Sequence, residues 1–417
     1  MALTDIRDTC HDIAGKLASI CERIEARGTL LRVQHLLVLS LQCQCEGRVN
    51  AFWEALNNAV RVGQRIGLHR GRAAWTSGRF HEFDKEIRCR VFCNLYTLDS
   101  LLSRQLDCNP FIAAHLTPEH LPRMHLSPSD DDGSGHGPDS FSERLLQTQL
   151  ADFWRSVSPR QRQGSEYEAT EAEERYHKFC REFLANLPPA FALVDPNCTW
   201  DEQMHRLPLQ RHMLHVAIFD SLCHNLRPVL LLEAGQIQSL PAYKQVLVAS
   251  QRRALAAAAL KMLDSVSKLH ALLGRSHTRL AAIILPTFEA AVILGSLTMD
   301  VQFPGPTTAN TTNQRLENEQ NGHNDPLVWD SAHISRERCW RAAQEALTQL
   351  EMLAVLSTMA KASARTLTRL MAKIPPLTAS SGGGSHVAHD PLLNLDQFLV
   401  AYSADTLPPL EVEWPHI

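Results

Sequence analysis

Apolar residues dominate long stretches of this chain and recur at steps of one, three and four. Leucine, valine, isoleucine and phenylalanine follow one another at these steps between residues 29 and 69, the spacing of helices buried on more than one side. Further stretches with helical spacing cover residues 142–156, 168–187, 207–232, 243–273, 279–299 and 334–371. Alternation typical of strands is hard to find, and aromatic residues make up only 6%. The pattern therefore predicts an all-α fold, built as a large multi-helix domain.

Polar segments interrupt the helical pattern at three places, each rich in Ser, Asp, Asn, Thr, Gly or Pro and poor in large apolar residues. They predict six parts along the chain. These are an N-terminal helical part at 1–126, a flexible loop at 127–139, a second helical part at 140–301, a disordered loop at 302–325, a terminal amphipathic helix at 326–374, and a flexible linker with an acidic and hydrophobic tail at 375–417.

Charge and cysteine content narrow the class of protein. The chain has 41 Lys and Arg against 45 Asp and Glu, a formal net charge of -4, so its overall field does not attract nucleic acid or anionic lipid. The 11 cysteines are scattered, which indicates free thiols in a reducing compartment, and the first residues lack the order of a secretory signal.

Residues 280–297 are the best candidate for a membrane-spanning helix, but Pro286, Thr287 and Glu289 interrupt them. We interpret them as a buried helix and expect no membrane association.

Cysteine spacing does not predict a zinc site. Tetrahedral zinc needs four donors brought together by tight turns, usually as pairs two residues apart. Cys43 with Cys45, and Cys89 with Cys93, offer two thiolates at most in each case. We interpret all four as buried or half-buried thiols.

Motifs for cofactors and catalysis are also missing. His205, His212, His215 and His224 fall in one stretch, but no carboxylate stands at HExxH spacing, so they are interpreted as ordinary histidines of an amphipathic helix. The phosphate-binding patterns GxGxxG and GxxxxGK[ST] and the GxSxG elbow do not occur. We therefore expect no cofactor, no metal and no catalytic residue.

The most informative stretch is residues 86–103, EIRCRVFCNLYTLDSLLS. One side of a helix with this sequence carries Phe92, Leu95, Tyr96 and Leu102. Glu86 and Arg90 stand four residues apart and can pair. Two interpretations stay open: a buried network that braces the helix against its neighbours, or a solvated charged face whose pairs each contribute only tenths of a kcal/mol.

Three groups of residues stand in a characteristic order along the chain. They are Gly67, Leu68 and His69; then Glu86, Arg88, Arg90, Phe92, Tyr96, Asp99 and Ser103; then Arg227 and Pro228. In this order they resemble the helix end, the central run and the downstream His-Arg-Pro segment of the fungal-specific transcription factor domain, also called the middle homology region. The resemblance extends over about residues 25–372 and implies an all-α regulatory domain.

This chain departs from the family pattern at several positions. Gly63 replaces the usual alanine, and Cys89, Cys93 and Ser100 depart from the central run. The turn that follows the run carries one extra residue near Cys108. In complete regulators the family domain follows a two-zinc, six-cysteine DNA-binding cluster, which this sequence does not contain.

The resemblance implies a non-enzymatic, nuclear regulator of a metabolic or secondary-metabolite biosynthetic gene set. It implies dimerisation with itself or with a full-length zinc-cluster regulator. Without a zinc cluster, and with its densest basic patches (61–72 and 252–253) expected to be structural, we expect no sequence-specific DNA binding by the chain alone. The alternative is a cytoplasmic helical scaffold or a small-molecule-binding protein that has lost the regulatory link.

Two further expectations concern particular segments. The central run should place Arg88 and Arg90 where two helices meet, partly buried and bonded to Glu86, Asp99 or helix-end carbonyls. The tail after Lys373 has no Lys or Arg and mixes acidic with apolar residues, which is typical of segments that capture a coactivator. A tail folded back on the domain is the other interpretation.

Overall fold

The computed structural model describes residues 3–24, 28–75, 81–123, 138–157, 167–274, 280–300, 303–304, 326–327 and 333–374. Within these ranges the chain is helical and contains no strand, which confirms the all-α prediction. Both predicted loops lie almost entirely outside these ranges. The predicted tail at 375–417 lies wholly outside them.

The helices follow the predicted stretches closely. They are α1 Leu3–Ile24, α2 Leu30–Cys45, α3 Val49–Arg65, α4 Glu82–Gln105, α5 Ser142–Val157, α6 Ala169–Glu182, α7 Leu207–Leu226, α8 Ala234–Ser239, α9 Ala242–Leu273, α10 Ala281–Met299, α11 Arg336–Leu353 and α12 Thr358–Met371. Short 3-10 turns lie between them, including Leu68–Arg70, Arg72–Trp75, Pro118–His120 and Arg227–Leu231.

Internal contacts divide the chain into two compact units. The first comprises residues 1–133 and 144–152, and the second comprises residues 134–143 and 153–417. The middle of α5 therefore belongs to the first unit, and both of its ends belong to the second.

The first unit has its core between α2, α3 and α4. The largest of its fully buried side chains are Phe52, Leu56, Leu68, Phe92, Tyr96 and Leu102. Gly71 lets two turns of this unit approach closely, because a Cβ built there would lie 2.9 Å from the Cβ of Glu119 and 3.2 Å from its carbonyl oxygen. Its backbone also has a φ of +70°, a value that residues other than glycine rarely adopt.

The second unit packs α9 and α10 at its centre, against α7, α11 and α12. Most of α10 is buried, as the apolar run around residues 280–297 predicts. Among the described residues, α10 is also the one helix long and apolar enough to cross a membrane by length and composition, a test that buried core helices pass as well.

The prediction of one terminal helix within residues 326–374 is wrong, because α11 ends at Leu353 and α12 begins at Thr358. The Oγ of Ser357 accepts a hydrogen bond from the backbone N–H of Ala360 at 3.3 Å. A serine in this position satisfies an N–H that a helix start would otherwise leave unpaired. The side chain of Ser357 thus begins a new helix within an otherwise helical pattern.

Candidate functional site

The central run forms most of α4, and its first acidic residue is completely buried. Glu86 is 0% exposed. One of its oxygens accepts from Nε of Arg90 at 3.0 Å. The other accepts from Nη2 of Arg72 and from the backbone N–H of Arg123, the latter at 3.0 Å. The sequence left two interpretations open, a buried network and a solvated charged face. The structure confirms the buried network.

Arg72 joins two acids of α4 that differ in exposure. Its side chain is 7% exposed and reaches both Glu86 and the exposed Glu82, which lies 3.2 Å from its Nη1. Arg61, Arg65 and Arg70 of the same basic patch are exposed. The structure thus has Arg72 in the buried network and the other three arginines of the patch on the surface.

Asp99 anchors a non-helical segment that follows α4. Its two carboxylate oxygens accept from the backbone N–H groups of Phe111 and Ile112, each at 2.9 Å, and the residue is fully buried. The Oγ of Ser103 donates to the carbonyl oxygen of Asp99 at 2.6 Å, within the last turns of the helix. The carboxylate accepts hydrogen bonds from two backbone N–H groups. It thereby replaces the hydrogen bonds that these groups would form in a helix or a strand.

Tyr96 leads to a third acidic side chain, the half-buried Asp152. Its hydroxyl donates to Oδ1 of Asp152 at 2.7 Å, and the backbone N–H of Leu116 donates to the same oxygen at 3.2 Å. We call Glu86, Asp99 and Asp152 the three anchor carboxylates. Each accepts a hydrogen bond from at least one backbone N–H of the segment 106–123, which the structure describes throughout.

Phe92 stacks on a histidine that connects two turns. The ring centroids of Phe92 and His120 are 4.5 Å apart. Nε2 of His120 donates to the carbonyl oxygen of His69 at 3.0 Å, and its Nδ1 accepts from the backbone N–H of Thr117. The ring therefore joins the turn Leu68–Arg70 to the turn Pro118–His120.

The turn after α3 is held by a tryptophan and an arginine. Gly67 adopts a φ of +75°, and its carbonyl oxygen accepts from Nε1 of Trp75 at 3.2 Å. The guanidinium carbon of Arg88 lies 5.7 Å from the centroid of the Trp75 ring, and its Nη1 donates to the carbonyl oxygen of Ile66, where α3 ends. Leu68 is buried in the core of the first unit.

The cysteines that depart from the family pattern face the same turns. Sγ of Cys89 donates to the carbonyl oxygen of Glu119 and Sγ of Cys93 to that of His120, each at 3.8 Å. Burial raises the pKa of Cys89 to about 11 and that of Cys93 to about 12. Both thiols stay protonated at neutral pH, and the prediction of buried thiols is confirmed.

A second network of buried polar groups lies in the second unit, around Arg211. Its side chain is 4% exposed and forms a two-pronged ion pair with Asp201, at 2.7 and 3.0 Å. Its Nε donates to the carbonyl oxygen of Ala190 at 2.6 Å. Sequence reasoning missed this pair, although an arginine inside the apolar run of α7 was a visible signal.

Arg227 and Pro228 lie where α7 ends. Arg227 caps the helix, with its backbone N–H bonded to the carbonyl oxygen of Cys223, and Pro228 opens the 3-10 turn Arg227–Leu231. Proline suits this position because the first residues of a helix have no acceptor for an N–H. These two residues lie in the second unit, whereas the other predicted motif residues lie in the first.

Of the four histidines near α7, His212 and His215 contact each other edge to face, with ring centroids 5.7 Å apart. His205 is exposed and precedes the helix, and His215 is buried, with its Nε2 donating to the carbonyl oxygen of Phe191 at 3.1 Å. Among the described residues, no group of three or more His, Cys, Asp or Glu side chains is placed to hold a metal ion.

His215 makes the stability of the second unit depend on pH. Burial lowers its pKa from 6.5 to about 4. The unfolded chain therefore takes up a proton below pH 6.5 that the folded chain refuses, so stability falls as the pH drops from 6.5 towards 4. Urea unfolding at pH 7 and pH 5 should show a loss of about 2 kcal/mol from this group, and His215→Gln should remove that part of the loss. His205→Gln, at the exposed histidine, should keep it; an equal change in both variants would contradict the assignment.

Comparison with known proteins finds one family match and several similar transcription factors. Residues 13–180 match the family described as the fungal specific transcription factor domain. Transcription factor xilB of Penicillium rubens is 41% identical over 389 residues, which cover 91% of this chain and 56% of that protein. Probable transcription factor sol4 of Alternaria solani is 37% identical over 387 residues, which cover 91% of this chain and 66% of that protein. The chain thus spans between half and two thirds of the length of these relatives. No solved structure matches it.

Proposed function

This chain belongs to the fungal-specific transcription factor domain family, and from that premise we propose that it is a nuclear regulator of a metabolic or secondary-metabolite biosynthetic gene set. The similarity to transcription factor xilB over 91% of the chain carries this proposal. In this proposal the chain is a regulatory domain and has no catalytic activity. Its buried charged groups support that role, because Glu86 and Asp99 bind donors of the chain itself.

We further propose that specific DNA recognition is supplied by a partner. The formal net charge of -4 gives little general attraction to the phosphate backbone. Arg72, Arg90 and Arg211 are bound to acidic side chains. A full-length zinc-cluster regulator would supply the base contacts, and a coactivator would bind the acidic tail.

Gene expression in the fungus that carries this gene tests the proposal. The gene is deleted, and the strain is complemented with the unmodified chain, with Glu86→Ala or with Glu82→Ala. We expect deletion to change the transcripts of a restricted gene set and the unmodified chain and Glu82→Ala to restore them. Glu86→Ala should restore them poorly, because it removes a buried acid of the same helix, whereas Glu82 is exposed.

Cell fractionation of the same strains separates the proposal from its alternative. A regulator is expected in the nuclear fraction. A chain confined to the cytoplasm, together with unchanged transcripts after deletion, would contradict the proposal and favour the scaffold or small-molecule-binding protein.

A further inference from the structure

Helix α12 carries a row of basic residues on its exposed side. Lys361, Arg365 and Arg369 stand four residues apart on the helix, and Lys373 follows at the same interval just after the helix ends. Residues four apart on a helix are neighbours on one side of it. All four residues are exposed, whereas the other side of α12 is buried against α10 and α11. We call these four residues the basic row.

The basic row has no acidic partner in the part of the chain that the structure describes. None of its side chains forms an ion pair or a hydrogen bond with a described residue. Like charges four residues apart repel each other and destabilise a helix. Arg369 lies in the last turn, where the helix dipole favours a cation, but Lys361 lies in the first turn, where the dipole opposes one. The helix alone therefore gives no electrostatic reason for this row.

Two exposed apolar side chains directly precede α12. Met352 belongs to the end of α11 and is 58% exposed, and Val355 lies in the turn between the two helices and is 84% exposed. Exposed apolar groups bordered by charged groups are typical of surfaces that bind a partner. The surface formed by this turn and the basic row thus offers apolar contact together with positive charge.

The sequence separates positive from negative charge in this region. No acidic residue lies between Glu351 and Asp390, and no Lys or Arg follows Lys373. The tail at 375–417 carries the acids Asp390, Asp396, Asp405, Glu411 and Glu413. Apolar residues at helical steps accompany them within residues 395–402. The tail therefore combines apolar residues with negative charge, which complements the surface at α12.

We propose that the tail at 375–417 binds to α12 of the same chain, with its acids on the basic row and its apolar residues on Met352 and Val355. The tail is the occupant that fits this surface, because opposite charges attract and the tail follows α12 directly in the sequence. The inference is independent of the proposed role in transcription, since its test measures binding within one chain.

The length of the intervening chain allows this contact. Residues 380–385 read SSGGGS, and the chain from Ile374 to Asp390, with this composition, spans about 20–24 Å on average. The basic row from Lys361 to Lys373 is about 18 Å long at the usual helical rise. The acids of the tail can therefore reach every member of the row. A short linker also gives the tail a high effective concentration at α12, which favours it over an acidic segment of another protein.

Chymotrypsin cleavage of the full chain measures whether the tail is bound. Phe398 and Tyr402 are cleavage sites within the tail, and we expect slow cleavage there in the unmodified chain. Cleavage should be about tenfold faster in Arg365→Glu, because proteolysis follows the population of unbound tail. Asp390→Asn should accelerate cleavage as well, and it leaves α12 unchanged.

A matched charge reversal elsewhere makes the cleavage result specific. Arg206 is an exposed arginine that precedes α7 in the same unit. Arg206→Glu changes the net charge as Arg365→Glu does and should leave cleavage of the tail slow. Circular dichroism should show the same helical content in both variants and in the unmodified chain.

Carbodiimide cross-linking identifies the contact. The reagent condenses a lysine amine with a neighbouring carboxylate to an amide and takes up the water that is lost. Because the tail has no Lys or Arg, trypsin releases it as one peptide that begins at Ile374. We expect this peptide joined to Lys361 in protein of single-chain mass, and loss of the link in Arg365→Glu. A mixture of isotopically labelled and unlabelled chains separates links within a chain from links between chains.

Three results would overturn the proposal. The first is equally fast cleavage at Phe398 in the unmodified chain and in Arg365→Glu, and the second is equal acceleration in Arg206→Glu. The third is a link between Lys361 and the tail that forms only between labelled and unlabelled chains, since the occupant would then be the tail of a second copy.

Discussion

Glu86→Ala is expected to lower the free energy of unfolding of the first unit by about 3–5 kcal/mol, the cost of removing one partner from a buried ion pair. The change removes the acceptor of Arg72, Arg90 and the backbone N–H of Arg123 at once. Arg90 then loses its ion pair with Glu86, and Arg72 keeps only the exposed Glu82 as a partner. Urea unfolding followed by circular dichroism measures the loss.

Variants of neighbouring residues test whether the loss of stability in Glu86→Ala comes from the buried position of this carboxylate. Glu82→Ala removes an exposed acid that pairs with the same Arg72 and should cost far less than Glu86→Ala, because solvent screens exposed pairs. Arg90→Ala leaves the pair between Glu86 and Arg72 in place, so its cost should fall between the two, at about 1–3 kcal/mol. Equal losses in Glu86→Ala and Glu82→Ala would show that burial of the carboxylate does not matter.

Asp99→Ala is expected to cost about 2–6 kcal/mol, because two backbone amides lose their acceptor and each unsatisfied buried group costs about 1–3 kcal/mol. The loss should be local as well as global. Hydrogen exchange should become faster at the amides of Phe111 and Ile112, which Asp99 binds at 2.9 Å.

An exposed acid on the same helix provides the control for Asp99. Asp84→Ala removes a carboxylate from the first turn of α4 and should cost less than about 1 kcal/mol through the helix dipole. It should leave the exchange of Phe111 and Ile112 unchanged. Exchange at these two amides that stays slow in Asp99→Ala would contradict their anchoring by this carboxylate.

The helical core was predictable from the sequence because its signal is periodic. Phe92, Leu95, Tyr96 and Leu102 all lie buried on α4, as their spacing predicts. The helix break before Ser357 was not predictable from the same signal, since apolar residues continue across it and one serine side chain begins the new helix.

The partners of the three anchor carboxylates were harder to predict from the sequence. The pair of Glu86 with Arg90 follows from a spacing of four residues, but Arg72 and Arg123 reach Glu86 from 14 and 37 residues away. Asp152 reaches Tyr96 across 56 residues. Such contacts depend on how the helices and turns pack, and a single sequence carries no periodic signal for them.

The three anchor carboxylates hold the segment 106–123 through its backbone rather than through its side chains. Phe111, Ile112, Leu116 and Arg123 meet them through backbone N–H groups, which every amino acid except proline supplies. These four contacts therefore place no demand on the side chains, although Ile112 is itself buried in the core of the first unit. The restriction falls instead on three acids outside that segment. The backbone path of this segment is thus specified by acids that lie elsewhere in the same unit.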